Sequence, residues 1–199
     1  MYHNAMSPED KKPVRRMEFT IIAGSLKGRT IITPDLGTTR PPLSRLRRSI
    51  FDFLTPYLDT ASFLDLFSGT GSYLFEAVSR GVAVAVGIER EKQLADAINR
   101  QAGSLGVAAG LSCRCQDVFE AIPELNVARK RFDIIMLAPP QYIGLVDQTL
   151  AALRRYPLSR PEGLIVCQHD TKETNKINFL DFPILQRREY GHTTFTVIS

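Results

Sequence analysis

The apolar run FDIIMLA (132–138) stops on Pro139-Pro140, and Gln141 and Tyr142 follow at once. Short apolar runs of this kind are buried strands, and proline, which has no N–H for the ladder, ends them. Such an ending can hold acceptors still. The carbonyls of a rigid Pro-Pro backbone accept hydrogen bonds from an exocyclic amine. The Gln141 amide supplies another oxygen, and the Tyr142 ring can stack on a planar base. Pro139, Pro140, Gln141 and Tyr142 are therefore the candidate catalytic residues, if a reactive partner is held beside them.

The segment DLFSGTGS (65–72) offers a place for that partner. Gly69 and Gly71 allow a sharp turn and a close approach of backbone to ligand, and the helix beginning beyond them presents unpaired N–H groups. A phosphate-binding loop needs a Lys-Ser/Thr pair after the glycines, and none is present. A dinucleotide fingerprint needs a third glycine where this chain has Phe75. The acid-x-x-x-Gly-x-Gly form, from Asp65 to Gly71, suits S-adenosylmethionine (SAM), whose cationic methionine end favours a nearby acid. A second strand ends on Glu89, about twenty residues past the glycines, where a carboxylate can accept both ribose hydroxyls. A third ends on Asp117, placed for an adenine amino group. The expected cofactor contacts are Asp65, Phe67, Ser68, Gly69, Gly71, Glu89, Asp117 and, beside the methyl group, Ala138.

These residues must be positioned by alternating elements. SFLDLF (62–67), VAVAVGIE (82–89), LSCRCQD (111–117), FDIIMLA (132–138) and GLIVCQH (163–169) read as strands. Helices are expected over 69–81 after the glycine turn, 91–103 and roughly 143–155. Alternation at this spacing implies parallel βαβ units in a three-layer α/β sandwich. Ligands in such sheets lie beyond the carboxyl ends of the strands where strand order reverses, here between the first and fourth strands of the series. ILQRREY and TTFTVIS, separated only by Gly191-His192, predict an antiparallel pair at the C-terminus. Upstream, FTIIAG (19–24) and RTIIT (29–33), joined by SLKG, predict a hairpin. TRPPLSRLRRSIFDFLTPYL predicts a helix with Leu43, Leu46, Ile50, Phe53 and Leu54 on one face. Residues 1–17 are polar and aperiodic and are expected to be disordered. The domains expected are thus a tail (1–17), a hairpin-and-helix extension (18–57) and the main α/β domain (58–199).

With 199 residues and 44% apolar side chains, the chain can bury a substantial core. The net charge of +4 is uneven: residues 1–50 carry +6 and the remainder −2. A basic front suggests an anionic partner such as nucleic acid, a solvated basic tail being the alternative. Cys113, Cys115 and Cys167 make neither a disulfide framework nor a metal set, so no metal is expected. No segment reaches membrane-spanning length and the N-terminus lacks a secretory core, which points to a cytoplasmic protein without a membrane partner. His169 and His192 read as structural and turn residues.

TRPPLSRLRRSIFDFL, DLFSGTGSYLFEAVSRG, the Pro-Pro after the fourth strand and the terminal REYGHT resemble, in order over residues 17–199, the bacterial methyltransferases that modify guanine N2 in small-subunit ribosomal RNA. The resemblance implies a Rossmann-like class I fold with a seven-stranded, mostly parallel sheet and an N-terminal hairpin-and-helix extension. It also implies SAM as cofactor and small-subunit rRNA or the ribosomal particle as partner of a monomeric enzyme. Lys27, Arg29, Arg40, Arg45 and Arg47 would hold RNA phosphates. The family pattern is Asp or Asn, Pro, Pro, Tyr or Phe; this chain has Ala138 at the acceptor position and Tyr142 one place late. Arg48 stands where a glutamate is usual. Losing the side-chain acceptor costs on the order of 10²–10³ in rate, so a catalytically weak SAM- and RNA-binding protein of ribosome assembly is one alternative. Methylation of an amino group in DNA or protein is another.

Overall fold

The chain after residue 60 folds as the strand–helix alternation predicts, with one further helix between the third and fourth strands of the series. The computed structural model describes residues 15–37, 44–179 and 181–199. A two-stranded antiparallel hairpin, β1 (Arg16–Thr20) and β2 (Thr30–Pro34), precedes α1 (Ser44–Leu54). The main sheet contains β3 (Ser62–Asp65), β4 (Val84–Glu89), β5 (Leu111–Cys115), β6 (Phe132–Leu137), β7 (Ser159–Asp170), β8 (Ile184–Tyr190) and β9 (Thr193–Ile198). Its order is β5-β4-β3-β6-β7-β9-β8, with β9 antiparallel to both neighbours and the rest parallel. The order reverses between β3 and β6, where the expected switch point lies. This is the seven-stranded α/β architecture of class I methyltransferases, closed by a C-terminal antiparallel hairpin.

Two apolar layers hold the helices. The hairpin, α1, α2 (Ser72–Ser79) and α3 (Lys92–Ser104) cover one face, where Phe51, Phe63, Leu74, Ile98, Ile134 and Met136 are buried together. On the other face α4 (Val118–Val127) and α5 (Leu145–Arg155) pack Ile122, Leu125, Leu150 and Leu153 against Ile135, Leu137 and Ile165. Residues Ile134 to Leu137 of β6 alternate between the layers, as the pleat requires, after an irregularity in the ladder between Phe132 and Ile134. Helix α4 has no counterpart in the sequence reading, because Pro123 interrupts its pattern. Packing of Ala121, Ile122 and Leu125 outweighs the hydrogen bond that Pro123 forgoes.

The N-terminal extension departs from expectation in three respects. Strand β1 starts at Arg16, with Met17 paired to Thr33, so an ordered strand overruns the boundary set at residue 17. Most of the expected tail lies outside the described residues. The hairpin loop is longer than SLKG: Ile21 N–H donates to Arg29 O and Gly28 N–H to Ile21 O, closing residues 21–29. That loop docks on the end of α2. Ile22 and Ala23 N–H groups donate to the two oxygens of buried Glu76 at 3.0 and 3.1 Å, and Ser25 N–H donates to Ser79 O at 2.7 Å. Gly24, at φ +83, lies so close that a Cβ would stand 1.8 Å from Ser79 O.

Arg47 completes this joint, and its expected role as a phosphate ligand is corrected. It is 2% exposed, donates to Thr20 O at 2.6 Å, covers the Phe19 ring and pairs with Glu76 at 3.5 Å. Arg80 pairs with the same carboxylate at 2.8 Å. The buried stripe of α1 is therefore Leu46, Arg47, Ile50, Phe51 and Leu54, in place of the purely apolar face expected from sequence. Phe53 is only partly buried and stacks on Tyr57. Leu43 lies outside the described residues.

Candidate active site

Beyond the carboxyl ends of β3, β4 and β6 lies a cleft of about 590 Å³. Its walls come from four places that the sheet order brings together: the turn Phe67–Thr70, the β4 end at Glu89, the Asp117–Phe119 corner, and Ala138–Gln141. Glycine makes the first wall possible. Gly69 and Gly71 have φ of +51 and +77, and Gly71 is the N-cap of α2. A Cβ on Gly71 would lie 2.8 Å from Ile98 Cγ1 and 3.3 Å from Phe75 Cε2. The missing side chain therefore leaves room for the neighbouring helix layer, which lets the turn sit low enough to face the cleft.

Glu89 ties the first two walls. It is nearly buried, and each oxygen takes one backbone N–H, from Gly69 at 2.7 Å and from Glu91 at 2.9 Å. A carboxylate has roughly four acceptor directions, so each oxygen keeps one for a vicinal hydroxyl pair. Burial raises its pKa, opposed by those two N–H donors. Asp117 caps α4 by accepting from Phe119 N–H at 2.8 Å, and it lines the opposite wall. The partly exposed Phe119 ring and the buried Leu66 and Ile88 line the cleft with apolar surface.

Asp65 is placed differently from its expected direct contact. It is fully buried beneath the turn, and it does not line the cleft. Oδ1 accepts from Phe67 N–H at 3.3 Å, while Oδ2 lacks a hydrogen-bond partner. Burial, reinforced by the charge of Glu89, pushes its pKa up to about 7. A carboxyl raised above its unfolded value near ~3.9 binds its proton more tightly in the native state. Its contribution to stability is thus fully present below about pH 4 and lost as pH rises through about 7. Asp65→Asn should flatten the decline in unfolding free energy between about pH 4.5 and 7.5, measured by urea titration. Identical pH slopes for the two proteins would refute the raised value.

The Pro-Pro ending is where expected, but its aromatic residue is not. Ala138, Pro139, Pro140 and Gln141 line the cleft. Tyr142 does not: it is 62% exposed and turned towards the end of β7. Its N–H donates to Glu173 Oε1 at 3.0 Å, and its phenol donates to the Asp170 carboxylate, which raises the phenol pKa to about 12. A tyrosine at φ +65 is an outlier, since a bulky side chain there crowds its own backbone. The one-residue displacement of the ring, visible in the sequence, thus carries it out of the cleft.

The basic residues divide by location. Lys27 and Arg29 are exposed in the hairpin loop, which docks at Ser79, while Ser72 and Tyr73 at the other end of α2 line the cleft. Eight helical residues, ~12 Å, separate the two ends. Helix α1 puts Leu46 on the cleft wall, and Arg45 and Arg48 are exposed on the same helix. Arg40 lies outside the described residues. His169 is buried, bonded to Asp170 O and Thr196 Oγ1, with burial pushing its pKa down.

Tyr73, Phe119, Gln168 and Thr193 line the cleft without having been singled out from sequence. Tyr73 reads as one more apolar helix residue. Gln168 acquires meaning only when β7 is known to adjoin β6.

A family model described as "Conserved hypothetical protein 95" matches residues 19–199. The chain belongs to this family. It is 28% identical over 176 residues to the putative rRNA methyltransferase YlbH of Bacillus subtilis, covering 87% of this chain and 94% of the relative. It is 25% identical over 190 residues to the ribosomal RNA small subunit methyltransferase D of Haemophilus influenzae, covering 92% and 94%. Among solved structures, a putative methyltransferase, yhhF, from Escherichia coli superposes with a TM-score of 0.81 at 23% identity, over 92% of this chain and 97% of that one. In this Conserved hypothetical protein 95 member the glycine turn, the β4 acid and the Pro-Pro ending face one cleft, and its ring at 142 faces elsewhere.

Proposed function

We propose that the protein is a SAM-dependent methyltransferase acting on the exocyclic N2 of a guanine in small-subunit rRNA. The observation that carries this is the cleft at the β3/β6 switch point, where a glycine turn and a doubly anchored Glu89 stand opposite the Pro139-Pro140 backbone. The cleft suits SAM by its charge and shape. Glu89, Glu91 and Asp117 outnumber Arg90 around it, a field that attracts a sulfonium and an ammonium and repels a pyrophosphate. The family relatives named as rRNA methyltransferases support the substrate class.

Glu89 would accept the ribose hydroxyls, Phe119 and Ile88 would pack the adenine, and Asp117 would accept from its amino group. Phe67, Ser68 and Gly69 would face the methionine portion, with Asp65 acting through its field from below. Bound there, SAM supplies an electrophilic methyl group. Pro139 and Pro140 would offer carbonyl acceptors to the incoming amine, and Gln141, exposed at the rim, would meet the base from the solvent side. Positioning of the amine in line carries most of the catalysis. Arg45 and Arg48, exposed on α1, would hold phosphates, as would Lys27 and Arg29 on the hairpin loop. Residues 18–57 would then form an RNA-engaging extension of a 58–199 catalytic domain, both built on one apolar layer, in a cytoplasmic monomer.

The cofactor half of this reading is tested by calorimetry. The wild type should bind SAM, and Glu89→Ala should weaken it by about 1–3 kcal/mol, the usual worth of hydrogen bonds to a charged group. A wild type that binds a nicotinamide dinucleotide and ignores SAM would overturn it.

A further inference from the structure

The cleft wall at residue 138 is a methyl group, so it offers no side-chain acceptor to an amine held against Pro139. The sheet places one next door. The last pair of the β6–β7 ladder is Leu137 with Cys167, and the next residues along are Ala138 and Gln168. Paired residues of parallel neighbours point to the same face, about 4.8 Å apart. Ala138 packs against the apolar layer that holds Met136, Val166 and Phe195, and Phe195 is the β9 partner of Gln168. Both Ala138 and Gln168 line the cleft.

Gln168 is also anchored. The buried Tyr73 hydroxyl, itself on the cleft wall, donates to Gln168 Oε1, and the Tyr73 ring packs 6.3 Å from Phe51. An amide oxygen has two lone pairs and the amide nitrogen two hydrogens, so one bond from Tyr73 leaves both an acceptor and donors for a ligand. Gln141 differs on each count: it is exposed, it follows Pro-Pro in a loop, and no hydrogen bond fixes it among the described residues. A group on a packed strand is held far more closely than one on a loop.

We infer that Gln168, oriented by Tyr73, is the side-chain amide that binds the target base edge beside its amino group, in the place that Ala138 leaves without an acceptor. The inference rests on the guanine-N2 reading above. An amide matches guanine well, since its oxygen accepts from the N2 amine while its NH₂ donates to the adjacent ring nitrogen N3. In the transfer, the N2 lone pair forms the N–C bond as the S–C pair passes to sulfur, and one N2 proton leaves to solvent. Gln168 accepts a hydrogen bond from that amine and takes no proton. Its effect is on orientation and on the positive charge growing at nitrogen. Tyr73 is a positioning residue, acting only through the amide.

The test is single-turnover and steady-state methyl transfer to small-subunit RNA, with SAM affinity and thermal stability measured on the same preparations. Gln168→Leu keeps the volume and removes the polar end, and should lower kcat by about 100- to 1,000-fold, the range for one lost hydrogen bond to a reacting group. Its SAM affinity should stay within about threefold of wild type. Gln168→Glu keeps an acceptor and should retain more activity than Gln168→Leu. Tyr73→Phe keeps the ring and should lower kcat while leaving KM for RNA unchanged. Ala138→Asp added to Gln168→Leu should restore part of the transfer, because the two side chains reach the same space. A Gln168→Leu enzyme with wild-type kcat would overturn the assignment while leaving the guanine reading intact. Transfer lost equally in Gln168→Leu and Gln168→Glu, with no rescue by Ala138→Asp, would also overturn it. A wild type that methylates no guanine would overturn both.

Discussion

Gly71→Val is expected to remove SAM binding, with affinity falling at least ~100-fold, or about 2.7 kcal/mol. Valine is β-branched, and φ +77 is a region that such residues almost never occupy. Its Cβ would also stand 2.8 Å from Ile98 Cγ1. Relief requires the turn to lift, and the turn carries Ser68 and Gly69 and the Gly69 N–H that holds Glu89. The loss thus comes from the protein's own interior displacing the cofactor wall, and the new side chain need never enter the cleft. Gly103→Ala is the control: it is helical, its φ is ordinary, and its Cβ would meet nothing within 4 Å. Calorimetry showing a folded Gly71→Val protein with SAM affinity within about threefold of wild type would contradict this account of the turn.

Charge reversal on α1 should give opposite outcomes at neighbouring positions. Arg47→Glu would bury a second carboxylate against Glu76 and leave Thr20 O without its donor. Breaking a buried ion pair costs about 3–5 kcal/mol, a large share of the roughly 5–15 kcal/mol that holds a domain together. The variant should therefore be largely unfolded or insoluble. Arg45→Glu with Arg48→Glu should leave the melting temperature and SAM affinity unchanged and weaken RNA binding steeply at low salt. Removing one arginine–phosphate pairing should reduce the salt slope by about one unit. A stable Arg47→Glu protein, or equal RNA affinity across a salt series for the Arg45/Arg48 variant, would refute the respective role.

Much of this architecture could be read from the chain because it depends on local pattern. The strand end at Glu89, the acid at 117 (which stands two residues past the end of β5 as the cap of α4), the glycines between β3 and α2, and the close spacing of β8 and β9 are each visible within short windows of sequence. From these the switch point followed. What could not be read depends on packing between distant segments. Arg47 is one of three arginines in four residues, and only the position of Glu76, 29 residues later, distinguishes the buried one. Asp65 looks like Glu89 in sequence, yet one carboxylate is beneath the turn and the other beside it. Tyr142 follows the proline motif closely enough to suggest stacking, but its φ of +65 and its bond to Asp170 direct it away. Gln168 is inconspicuous until the strand order sets it beside Ala138. Helix α4 was hidden by Pro123, since a breaker in a short window outweighs an apolar pattern that packing later rewards.

The central claim is the reaction itself. Its most direct test is incubation of the protein with methyl-labelled SAM and small ribosomal subunits lacking the modification, followed by digestion and nucleoside analysis of the RNA. The account predicts label in N2-methylguanosine, formed at a rate that depends on the glycine turn and on the groups around Ala138. Label in another nucleoside or in ribosomal protein, or SAM binding with no label transferred to RNA, would contradict it.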